Sequence, residues 1–64
     1  MTKETYGIAI RSMRDETGLT QAGFAEVIGV RRETINKWEQ QKGMQPQYVL
    51  DLIAYKLRMQ GYIK

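Results

Sequence analysis

Sixty-four residues, ten Lys or Arg against seven Asp or Glu, and no Cys or His make up this chain. A chain this short forms one domain, residues 1–64, whose core supplies only roughly 3–5 kcal/mol net. The lack of Cys and His excludes a disulfide frame and a Cys/His zinc site and, with no Gly-rich phosphate loop or converging carboxylates, leaves no nucleophile or acid–base pair for an enzyme.

Tyr6, Ala9, Ile10, Met13 and Thr17 recur at helical spacing and Gly18 is a natural stop, which predicts a first helix from about Thr5 to Thr17. Gly7 weakens its first turn. Thr20 is placed to cap a second helix opening at Gln21, with Phe24, Ala25 and Ile28 inward and Gly29 at its end. A third helix starts at Arg31 or Arg32, with Ile35 and Trp38 inward and Arg32, Glu33, Asn36 and Lys37 outward. Residues 40–45 form a polar loop. Pro46 sits where the first helical position favours proline, and a fourth helix runs from about 46 to 60, with Gly61 as its stop. Nothing alternates as a strand does, so the fold class is all-α.

The two central helices, separated by a tight turn, have the layout of a helix-turn-helix over residues 21–40. In that motif the second helix enters the DNA major groove. The spacing is specific. Counted from Gln21, Phe24, Ala25, Ile28, Val30, Ile35 and Trp38 hold the fourth, fifth, eighth, tenth, fifteenth and eighteenth positions, with Gly29 at the ninth. The fifth needs a small side chain where the helices cross, the ninth turns the backbone, and the others wedge the pair at a fixed angle.

Thr-Gln-x-x-Phe-Ala at 20–25, Ile-Gly-Val at 28–30, Thr-Ile-x-x-Trp-Glu at 34–39 and Pro46 carry a resemblance to a known family. Residues 10–53 resemble the Xre/Cro family of phage and bacterial repressor helix-turn-helix domains, in its minimal single-domain form. The resemblance implies a compact four-helix, lambda-repressor-like domain. It also implies a transcriptional repressor, activator or antitoxin.

Under that resemblance Gln21 buttresses the third helix and touches a phosphate, Trp38 belongs to the core, and Arg14 bridges to Glu39. Arg32 projects from the groove-facing end, where a guanidinium bonds bidentately to guanine. Arg31 stands where the family often has a Ser or Thr cap, and reaches a phosphate or a base instead. Glu33 and Lys37 are open to two readings: a surface pair four apart, or contacts to cytosine N4 and to guanine or a phosphate. Asn36 reads adenine or bonds a phosphate. With Thr34 and the loop residues Gln40 and Lys42, these make up the expected DNA contacts. The family usually has Gly at the position of Gln41, so a different end to the third helix is expected. The loop contacts of Gln40, Lys42 and Gln45 depend on how that end turns.

The fourth helix carries two apolar stripes. Val49, Leu52, Ile53 and Leu57 pack on the motif, while Tyr48, Leu52, Tyr55, Met59 and Tyr62 form a heptad-like seam. The seam either joins two copies as a homodimer, the favoured reading, or folds back over Tyr6 and Ile8 to complete the core. The expected function is a sequence-specific, double-stranded-DNA-binding regulator, a repressor on an inverted-repeat operator. The alternative is a protein-interaction module, an antitoxin or mobile-element adaptor, acting through the fourth helix. No apolar run reaches the roughly 18–20 residues of a membrane span, and the start lacks the apolar region of a signal peptide. A cytoplasmic protein is therefore expected, with no cofactor, metal or small-molecule ligand.

Overall fold

The structure, a computed structural model, describes residues 1–64 and contains four helices and no strands. They are α1 (Lys3–Thr17), α2 (Gln21–Ile28), α3 (Arg32–Glu39) and α4 (Gln47–Met59). Each of the first two starts on a threonine cap. The Thr2 hydroxyl accepts from the Thr5 backbone N–H, so α1 begins at Lys3, before the expected Thr5. The Thr20 hydroxyl accepts from Gly23 N–H at 3.0 Å and opens α2 as expected. Gly18 and Gly29 end the two helices with φ of +75° and +83°, values at which a Cβ would be strained. Thr17 shapes the connection between them: its hydroxyl donates to Arg14 O and accepts from Leu19 N–H.

The third helix ends in a cap without a glycine at its left-handed position. Gln41 takes the left-handed conformation itself, at φ +65°. Lys42 N–H reaches Lys37 O and Gln41 N–H reaches Trp38 O, both at 3.0 Å. These two bonds are the pair that closes a Schellman cap. The capping bonds stabilise a conformation that glutamine alone disfavours.

In α4 the boundaries tighten by one residue at each end. Pro46, at φ −56° and ψ 154°, is the cap residue rather than the first helical one. Gly61 does stop the helix, at φ +80°, with Tyr62 N–H on Leu57 O.

The core joins Tyr6 and Ile10 of α1, Phe24 and Ala25 of α2, Ile35 and Trp38 of α3, and Leu50, Ile53 and Leu57 of α4. Leu50 therefore takes the place expected of Leu52, which is 60% exposed. The fold-back of α4 over the first helix does not occur either: Ile8, Tyr55 and Met59 are all exposed, and Tyr6 is covered without them. No helix is long and apolar enough to cross a membrane.

Candidate nucleic-acid interface

An isolated helix of eight residues is unstable in water, so α3 owes its place to its neighbours. Ile35 and Trp38 anchor its inner face. The Tyr6 ring meets Trp38 edge-on, with centroids 5.5 Å apart and planes at 80°, an arrangement that aromatic quadrupoles favour. The Tyr6 hydroxyl is buried, and the Gln45 backbone beside it falls short of full hydrogen-bond geometry. Burial pushes it above the ordinary phenol range, and the Gln45 backbone opposes that shift. Next to Tyr6, Gly7 lets α1 touch α3: a Cβ there would overlap the Trp38 carbonyl oxygen. The glycine that looked like a weak first turn is thus a close-approach position.

The C-terminal end of α3 is tied down by charge. Glu39 accepts from Arg14 through two bonds, Nε to Oε2 at 2.7 Å and Nη2 to Oε1 at 3.0 Å. Arg14 also donates from Nη1 to Leu19 O at 3.1 Å, so one guanidinium holds α1, the turn into α2 and the end of α3 together. The Glu39 and Arg14 side chains are only 5% and 15% exposed. The hydrogen bond to Glu39 raises the Arg14 pKa above its ordinary range, and burial partly opposes this. Such bidentate pairing fixes orientation as well as charge. It is the bridge between helices that the family resemblance implied.

Two amides extend this arrangement outward. Gln21 donates from Nε2 to Glu39 Oε1 at 3.3 Å and to Asn36 Oδ1 at 3.4 Å. Gln40 donates to the same Asn36 oxygen at 3.3 Å. No periodicity in the sequence signals this chain of amides, because it joins residues through folded proximity.

On the other side α3 is bare. Arg31, Arg32, Glu33, Lys37, Gln40 and Lys42 are exposed, while Gln21, Thr34 and Asn36 are half-buried. Arg31 is the cap residue of α3 and makes no side-chain capping bond. Glu33 does not pair with Lys37. Its nearest cation is Arg32, at 3.9 Å, with both side chains more than half exposed. A pair this open and solvated contributes little. The Lys37 stem lies along Gly43 instead, packing against the loop after α3. Arg32, Glu33, Asn36 and Lys37 therefore share the outward arc of α3, and Gln21 and Gln40 are bonded to it through Asn36. The expected dimer residues lie elsewhere: Tyr48, Tyr55 and Met59 are exposed along α4, and Tyr62 follows its C-terminus at 38% exposure.

A family model described as helix-turn-helix matches residues 10–58. No curated protein and no solved structure matches the chain.

Proposed function

Because the chain belongs to that family, the DNA-binding helix-turn-helix domains of Xre/Cro type, we propose that it is a sequence-specific transcriptional repressor. It acts in the cytoplasm on an inverted-repeat operator, with residues 1–64 forming its DNA-binding domain. The observation that carries this reading is the division of α3 between an inner face held by Ile35, Trp38 and Glu39 and an outer face left polar and exposed. A helix docked this rigidly presents its side chains to the major groove with little ordering cost.

Arg32, at the groove-facing end, bonds guanine O6 and N7. Glu33 accepts from cytosine N4, a contact that offsets its repulsion from the phosphates. Lys37 reaches guanine or a phosphate, and Thr34 supports the same turn. Arg31, Gln40 and Lys42 hold phosphates on either side of the groove and set register rather than sequence. Gln21 buttresses the helix from behind.

Two copies join through the α4 face of Tyr48, Tyr55, Met59 and Tyr62. That stripe is exposed, and Leu52 links it to an apolar groove of about 200 Å³ that reaches Ile28 and Val30. Half-sites about 34–36 Å apart follow from a two-fold dimer on one face of the duplex. The same stripe favours a second reading, in which α4 grips another protein and the chain serves as an antitoxin or adaptor.

Selection from random duplex DNA by the purified protein separates these. An enriched inverted repeat supports the dimeric repressor, and an enriched single half-site removes the dimer. Weak binding without enrichment gives the function to the α4 face.

A further inference from the structure

We infer that Arg14, Glu39 and Gln21 fix the polarity of the Asn36 amide, so that Asn36 meets DNA as a hydrogen-bond donor only and selects a base edge bearing acceptors. The inference rests on the DNA-binding reading above and deepens it, because it assigns a readout to one residue of α3 and a role to the one behind it.

An asparagine free to turn its amide presents both an acceptor and a donor, the combination that matches adenine N6 and N7. Asn36 lacks that freedom. At the inner end, the Arg14 guanidinium has donors alone and the Glu39 carboxylate has acceptors alone. Glu39 Oε1 takes one hydrogen from Arg14 Nη2 at 3.0 Å and one from Gln21 at 3.3 Å. Only the nitrogen end of the Gln21 amide fits against a carboxylate, since its oxygen would face like partial charge. The orientation of Gln21 is thus set by its partner. The second hydrogen of the same Nε2 goes to Asn36 at 3.4 Å, where it needs an oxygen. Gln40 Nε2, at 3.3 Å, points at that oxygen too. Asn36 Oδ1 therefore has both lone pairs occupied, while its Nδ2 makes no bond within the protein.

Two consequences follow. The free amide hydrogens of Asn36 suit guanine, which offers N7 and O6, or thymine O4; adenine offers them N7 alone beside a repelling N6 amino group, and cytosine offers only its amino group. The Gln21 side chain, with both amide hydrogens used inside the protein, has only an oxygen left, which a phosphate cannot satisfy. The Gln21 side chain is therefore a positioning group and not a phosphate ligand.

The test uses the duplex site that the wild-type protein selects. Asn36→Ala is expected to lower affinity for that site roughly 5–10-fold, the loss of about one hydrogen bond. It should also flatten the preference at one base position, where the wild type favours guanine or thymine. Gln21→Ala is expected to relax that same position while leaving the dependence of affinity on salt unchanged. Loss of a phosphate contact would instead reduce the salt slope by about one. Adenine at the Asn36 position, with binding lost when its N6 amino group is removed, would overturn the inference. So would a reduced salt slope for Gln21→Ala, or an Asn36→Ala protein that selects as the wild type does.

A readout without DNA keeps the two claims apart. In the free protein the Gln21 side-chain amide protons should exchange more slowly than those of exposed Gln45. Equal exchange overturns the relay by itself. Slow exchange with no selected duplex upholds the relay and overturns the DNA reading, and the base preference falls with it.

Discussion

Helices α3 and α4 each bury one face and leave another open, and the two open faces have opposite chemistry. The open face of α3 holds Arg31, Arg32, Glu33 and Lys37, a set that water solvates well and a nucleic acid can use. The open face of α4 holds Tyr48, Leu52, Tyr55 and Met59, each more than half exposed. Apolar side chains exposed singly are ordinary on protein surfaces, but a continuous stripe marks a place where something else packs. The helices also differ in how they are held. α3 has a bidentate ion pair, an aromatic contact and a close backbone approach at its C-terminal half, whereas α4 is held by Leu50, Ile53 and Leu57. A rigid polar face and a greasy one on the same small domain are what the proposed function needs, with the duplex on one surface and a second protein chain on the other.

The sharpest way to break this contrast is to release α3 from within. Glu39→Ala leaves the Arg14 guanidinium largely buried without its carboxylate, which costs about 3–5 kcal/mol for a broken buried pair. That is comparable to the whole net stability of a domain this size, so urea titration should find much of the protein unfolded at room temperature. A stability loss below about 1 kcal/mol would show that the pair does not hold the helix.

Next in size is the loss of a contact on the open face. Arg32→Ala should leave the urea midpoint where it is and reduce discrimination at one base position by about 1–3 kcal/mol, read by competition between selected and altered duplexes. Equal discrimination by wild type and variant would take Arg32 out of the readout.

A smaller effect on folding, but a clear one on assembly, is expected from the other helix. Tyr55→Gln with Met59→Gln should yield a monomer by sedimentation whose stability lies within about 0.5 kcal/mol of the wild-type monomer, since both side chains are exposed. Unchanged sedimentation would leave the α4 stripe without a second copy. The smallest change is at the cap of α3. Gln41→Gly relieves the left-handed strain but adds unfolded-state freedom, for a net gain of roughly 0.5 kcal/mol. A loss of stability there would mean that the Gln41 side chain, which lies close to Gly7, contributes more than its backbone costs.

Local chemistry was the part of this fold that the sequence carried openly. Thr20, Gly18, Gly29 and Gly61 announce helix ends because capping involves only neighbouring residues. Phe24, Ala25, Ile35 and Trp38 announce the motif because each helix must bury a fixed stripe. What stayed hidden depends on contacts between distant segments. Gly7 reads as a flaw in a helix until Trp38 is seen against it. Gln41 gives no sign of its left-handed backbone, which bonds to Lys37 and Trp38 stabilise.

In α4 apolar residues occupy so many positions that periodicity alone could not choose between Leu50 and Leu52. The placement of the other helices decides it. The Arg14–Glu39 bond spans 25 residues and came from the family resemblance rather than from any pattern in the chain. The amide chain through Gln21, Asn36 and Gln40 had no precursor in the sequence beyond the positions of the residues themselves.

The division of labour between α3 and α4 is tested most directly by titrating the ¹⁵N-labelled protein with a selected duplex and following every backbone amide. DNA should shift the amides around Gln21 and from Arg31 to Lys42. Dilution without DNA should shift those from Tyr48 to Tyr62. DNA-induced shifts centred on α4, with Arg31 to Lys37 unmoved, would contradict that division.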